Sequence, residues 1–260
     1  MKHPRIPARS PRTASQHFTS SDLSCFDFPV DTDSTTDARH RLPDARILHL
    51  LPERAAWLPD AGVLMVADVH FGKAASFRRL GVPVPQGTTG ANLARLDALL
   101  ARLPGVRTLV FLGDFLHAAS GRAPATLQAL HAWRERHADL TITLVRGNHD
   151  SGAGDPPAAW GIEVVEEPWA HAGLVLCHDP DTIRPPGLPA LAGHLHPVTR
   201  LGRGFDTLRL PCFHARADGM LVLPAFGEFT GGALVRATAG ESLYLVAGDR
   251  VVPHPVHMVR

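Results

Sequence analysis

Three uninterrupted apolar runs, GVLMVA (62–67), TLVFL (108–112) and LTITLV (140–145), limit what this chain can fold into. They are of strand length, and a strand without polar alternation is one buried on both faces. Between them lies ANLARLDALLARL, whose Leu93, Leu96, Leu99, Leu100 and Leu103 recur at helical spacing. APATLQALHAWRERH predicts a second amphipathic helix. The order strand, helix, strand, helix, strand implies right-handed crossovers and a parallel sheet, hence an α/β fold. ILHLL (47–51) adds a strand ahead of them. Past residue 150 the texture changes: IEVV, GLVLC, LPALAG, MLVLP and SLYLVAG are short strands between Pro/Gly turns. They predict a second sheet, antiparallel or mixed, packed on the first. No internal repeat or linker interrupts residues 45–260, which read as one domain.

The first 44 residues differ. Pro4, Pro7 and Pro11 stand among Arg and Ser, and no acid precedes Asp22. Those prolines break any amphipathic targeting helix, so a disordered N-terminal extension over 1–44 is expected, or a start site placed too early. Cys25, Cys177 and Cys212 form no CxxC pair, which argues against a disulfide framework and for a reducing, cytoplasmic setting. No apolar run approaches the ~18 residues of a membrane span. Lysine occurs only at 2 and 73 and asparagine only at 92 and 148, so Lys73 and Asn148, inside motifs, draw notice. Asn92 reads as an ordinary residue near a helix start.

Five strands end in chemistry. GVLMVA runs into Asp68-Val69-His70, TLVFL into Gly113-Asp114, and LTITLV into Arg146-Gly147-Asn148-His149-Asp150. GLVLC ends at His178, and LPALA at Gly193-His194-Leu195-His196. The carboxyl ends of strands are where ligand sites assemble in α/β sheets. In extended chain, residues i and i+2 share a face, so Asp68 and His70 can reach one metal together. His194 and His196 stand in the same relation, unless a tight turn divides them between two ions. The glycines permit sharp turns and leave room for a ligand. Mixed imidazole, carboxylate and amide donors suit Mn, Fe or Zn.

The ordered set D-x-H, G-D, G-N-H-D, H and G-H-x-H resembles the calcineurin-like metallophosphoesterases. DVHFGKAASFRRLGVPVPQG, GDFLHA, CHDP, GHLHP and LPAFGEFTGG are similar to a narrower group, the bacterial ligase-associated DNA-damage-response phosphoesterases, also called PdeM. The resemblance covers about residues 46–250. It implies a four-layer αββα sandwich of two mixed sheets flanked by helices, and two divalent metal ions, Mn foremost, with Fe or Zn as alternatives. Asp68, His70 and His196 would hold one ion, Asn148, His178 and His194 the other, and Asp114 would bridge. His149 would be the imidazole beside the scissile phosphate, with Asp150 a candidate to orient its ring. The implied activity is hydrolysis of phosphodiesters in DNA during damage response, as an endonuclease, in association with a DNA ligase and other repair proteins.

Two other readings of the same motifs remain open. One is a hydrolase of nucleotides or lipid-linked diphosphates; the other is an inactive protein-binding scaffold, which intact motifs disfavour. Lys73, Arg78, His117 and Arg146 are candidates for substrate contact, and Glu228 lies near the site or caps a hairpin. Residues 1–44 carry six cations and six acids, leaving 20 against 19 in the remainder. That balance lacks the electrostatic footprint of a strong DNA binder. A local patch of Arg78, Arg79, Arg122, Arg200 and Arg203 would have to supply one.

Overall fold

A computed structural model describes residues 36–84, 87–203 and 206–254. The three apolar runs form β4 (Val63–Ala67), β5 (Thr108–Leu112) and β6 (Thr141–Val145), adjacent and parallel. β7 (Glu163–Val165) extends the parallel set on one side. On the other, β3 (Ala55–Leu58), β2 (Ile47–Leu51) and β1 (Ala38–Arg41) continue it antiparallel, giving a seven-stranded sheet. The second sheet has the order β15 (Arg250–Pro253), β14 (Ser242–Ala247), β12 (Asp206–Ala215), β13 (Met220–Val222), β10 (Ala190–Ala192), β9 (Leu174–Leu176) and β8 (Trp169–His171). β9, β10 and β13 are parallel neighbours and the other pairings antiparallel, so this sheet is mixed. β11 (Val198–Arg203) pairs β12 in a hairpin.

Strand alternation assigns the layers. Leu64, Val66, Leu109, Phe111, Ile142 and Leu144 of the first sheet face Leu93, Leu96 and Leu99 of α2 (Thr88–Arg102) and Leu130 and Trp133 of α3 (Pro124–Arg136). Their alternates Val63, Met65, Val110, Leu112 and Val145 meet Leu174, Leu176, Leu191, Phe213 and Leu221 of the second sheet. The result is two mixed sheets with flanking helices, as expected. Among the described residues no α-helix follows residue 153. Part of the second sheet's outer face, Leu210, Cys212, Leu243 and Leu245, is instead packed by Leu201, Leu208, Val235 and Ala237.

The expected boundary at residue 44 needs correction. Ala38–Arg41 pair in register with β2, and Val251 N–H donates to the Thr36 carbonyl, so ordered chain begins well before it. Alternation in ARHR is too weak and short to announce a strand; its edge position against ILHLL makes it one. Residues 1–35 lie outside the described part.

Candidate metal centre

The carboxyl ends of β4, β5, β6, β9 and β10 deliver every residue of the five motifs to one place. The backbone gets there through left-handed turns rather than extended chain. Asp68, His70, Asp114, His194 and His196 have φ of 54°, 45°, 52°, 67° and 47°. Nine non-glycine residues have positive φ among those described, and five are these, so backbone strain gathers at the site. The shared-face argument for D-x-H and H-x-H therefore reaches a correct neighbourhood by the wrong geometry. The second possibility for H-x-H holds instead: the turn sends the two rings to different clusters.

One cluster is Asp68, His70, Asp114 and His196, whose donor atoms all lie within 4.8 Å of one another. His196 Nε2 is 3.3 Å from Asp68 Oδ1, and His70 Nε2 is 3.6 Å from Asp114 Oδ2. In the other, His178 Nε2 lies 2.8 Å from Asn148 Oδ1 and 3.0 Å from His194 Nδ1, which is itself 3.1 Å from Asn148 Oδ1. Asp114 belongs to both, since its Oδ1 is 3.5 Å from His178 Nε2.

Outer contacts aim these atoms inward. His194 N–H donates to Asp68 Oδ2 (2.9 Å) and leaves Oδ1 for the interior. His149 N–H donates to Asp114 Oδ1 (3.0 Å). With His178 Nδ1 donating to the Leu112 carbonyl (3.2 Å), the lone pair is left on Nε2. Two glycines are required by space. A Cβ on Gly113 would lie 2.0 Å from His178 Nδ1, and one on Gly193 2.6 Å from Asp68 Oδ2.

Asp68 Oδ1, both ring nitrogens of His70 and His196 Nε2 are buried without a hydrogen-bond partner. Buried polar atoms are costly when unpaired, and such atoms on three residues of one cluster call for a ligand. Burial, with Lys73 and neighbouring imidazoles adding, holds His70 down at about 2, so the ring is neutral and free to donate a lone pair. The donor set fits divalent cations.

The calcineurin-like phosphoesterase family model matches residues 62–216, which take in all five motifs and more than half the chain. The chain belongs to the calcineurin-like phosphoesterases. A solved structure of Pseudomonas putida nuclease MPE is 46% identical, with a TM-score of 0.72, covering 84% of this chain and 100% of that one. An Aquifex aeolicus protein of unknown function, AQ665, aligns at 22% identity and TM-score 0.32, over 46% of this chain and 61% of that one. No curated protein matches.

Other residues of this phosphoesterase fall into place around the donors. His149 opens α4 (Asn148–Ala153), is partly exposed, and has Nε2 3.9 Å from Asp114 Oδ2. Its Nδ1 is 2.9 Å from the His117 carbonyl, which fixes the ring and leaves Nε2 on the side of Asp114. Asp150 does not orient that ring, contrary to expectation. Its carboxylate, 1% exposed, accepts from Gly147 N–H (2.9 Å), Phe115 N–H (2.9 Å) and Leu116 N–H (3.4 Å). It is the third helical residue reaching back to the N-cap, and it ties α4 to the loop carrying Asp114. Burial pushes this carboxyl up, and the amides oppose that.

His117 stacks on His149 (5.3 Å, 24° between planes) and meets His70 edge-on at 5.3 Å. Burial, then Lys73 and His149, lowers its pKa to about 4. Lys73 starts α1 (Lys73–Arg79), where burial lowers its pKa against the pull of Asp114 and Asp68. Arg78 lies in the last turn of that helix. Arg146 is engaged elsewhere: its guanidinium pairs with Asp155 and with Glu166 (2.8 Å) on the rim of a cleft of about 210 Å³ beside Asn148 and His194. Arg122 donates to the carbonyls of Ala153, Gly154 and Asp155, and so serves the end of α4. The side chain of Arg203 is outside the described part. Of the five arginines considered as a patch, Arg122 is thus committed to main-chain carbonyls at the end of α4. Among the described residues no helix is long and apolar enough to cross a membrane.

Sequence reading missed Asn92, which is 4% exposed and donates from Nδ2 to the Val69 carbonyl between two donors (3.4 Å). The scarcity of asparagine was the available signal, and proximity to a helix start masked it.

Proposed function

We propose that this protein is a two-metal nuclease that hydrolyses phosphodiester bonds in DNA, acting in the response to DNA damage. The observation that carries the reading is the division of donors into two clusters joined by Asp114, with His149 at the rim. The 46% identity to a nuclease along that protein's whole length supports the substrate class. Asp68, His70 and His196 would hold one ion and Asn148, His178 and His194 the other, with Asp114 shared. Manganese is the ion expected first, since neutral imidazole and hard oxygen donors are mixed here.

When bound, such ions supply Lewis acidity and a nucleophilic hydroxide near neutral pH. The chain's own residues do the rest. His149, with Nδ1 committed to the His117 carbonyl, presents Nε2 to the substrate and, when protonated, donates to a phosphate or departing oxygen. Lys73 adds a partly desolvated positive charge for the phosphate, which gains strength from the low local dielectric. His117 packs behind His149 and limits its motion. Association with a DNA ligase belongs to the same proposal and rests on resemblance alone.

The test is a panel run on metal-stripped protein reloaded with Mn, Fe, Zn or Mg. Cleavage of single- or double-stranded DNA well above that of RNA, nucleotides and lipid-linked diphosphates is the expected result. Preference for the small substrates would replace the DNA reading by the nucleotide one, and no turnover with any ion would leave a scaffold.

A further inference from the structure

The turn carrying Asp68 and His70 has a second layer of support behind it. Its two non-glycine residues in the left-handed region are strained, so the surroundings must hold them. Three successive carbonyls of this turn are gripped. Ala67 O accepts from Phe226 N–H (2.8 Å), Asp68 O from Gly227 N–H (3.1 Å), and Val69 O from the side-chain amide of Asn92. The Phe226–Gly227 segment lies flat on the turn: a Cβ on Gly227 would meet Val69 O at 2.4 Å.

Arg95 joins these grips. One turn along α2 from Asn92, it donates from Nη2 to Asn92 Oδ1 (3.3 Å) and to the Phe226 carbonyl, and from Nη1 to Glu228 Oε1 (2.9 Å). Its guanidinium lies 4.0 Å from the centre of the Phe226 ring. Because Arg95 holds the oxygen of the Asn92 amide, only the NH₂ can face Val69. Arg54 braces the same segment through the Ala225 carbonyl (3.3 Å).

We propose that Asn92 and Arg95 are positioning residues that hold the Asp68–Val69–His70 turn in its left-handed form and so set the affinity of that donor cluster for its ion. The inference rests on the ligand assignment above. Glu228, ambiguous in the sequence, anchors Arg95 in this arrangement.

The experiment is calorimetric titration of Mn²⁺ into metal-free full-length protein, comparing wild type, Asn92→Ala, Arg95→Lys and Asp68→Ala. Asn92→Ala and Arg95→Lys should weaken one of two sites about 10–100-fold, the range for losing an outer contact to a ligand, and leave the other within about twofold. Wild-type binding at both sites, or equal weakening of both, would overturn the proposal. If Asn92→Ala fails to fold, Arg95→Lys, which keeps the charge and loses the fork, is read by the same rule. Asp68→Ala separates the two levels. If it loses one site while the positioning variants bind normally, the positioning inference alone falls. If it leaves both sites intact, the ligand assignment has failed and takes the inference with it.

Discussion

His149 stands at the mouth with one ring nitrogen tied to a main-chain carbonyl, so its ring can be removed without deleting any of the seven donors. His149→Ala is expected to lower kcat about 10²–10⁴-fold while metal content per chain stays at the wild-type value. Steady-state kinetics beside elemental analysis checks both halves, and unchanged turnover would strip the residue of its role. Gly113 makes the opposite case. Its φ of 75° and the closeness of His178 mean that Gly113→Ala must displace the His178 ring, a proposed ligand. That variant should lose metal while still folding, as measured by metal content and circular dichroism. At this scale the motifs were legible because every donor is a residue type rarely wanted at a buried strand end. What the residues do through the backbone was not. D-x-H reads as alternating extended chain, and nothing in three letters announces φ near +50°. Asp150 misled for a related reason: adjacency to His149 suggested a ring contact, whereas helix geometry turns it back to the Gly147 amide.

Elements were legible where a long apolar run announced them, and burial alone was not enough, since β3 is buried throughout. TLVFL and LTITLV are buried on both faces and could hardly be anything else. AAWL, which forms β3, is short and half alanine, and TLRLPCFHA hides β12 behind Pro211 and a charged alternation. KAASFRR carries no apolar stripe, and α1 forms after a left-handed Gly72 that cannot take a side chain, since a Cβ there would lie 2.2 Å from the Gly121 carbonyl oxygen. α4 gives a prediction of its own. Asp150 satisfies the Gly147 amide at its start and two amides of the loop that carries Asp114, so Asp150→Ala should cost at least ~1–3 kcal/mol in denaturant unfolding. A loss near zero would mean that water replaces the carboxylate.

For the molecule as a whole, the α/β class and the order of its parts could be read in advance, and the edge could not. Removing residues 1–44 deletes β1, exposing the edge of β2 and the Tyr244 hydroxyl that meets His40 (3.2 Å). That truncation should melt several degrees below one removing only 1–35, by differential scanning calorimetry, and equal melting would restore the boundary to 44.

Asp68, His70, Asp114 and Asn148 hang from the first sheet, while His178, His194 and His196 hang from the second. Each cluster draws on both layers, so neither layer owns a complete coordination shell. A slip of about an ångström between them, too small to melt either, would be enough to spoil the chemistry. Warming should therefore silence the enzyme at a temperature where its secondary structure is still whole.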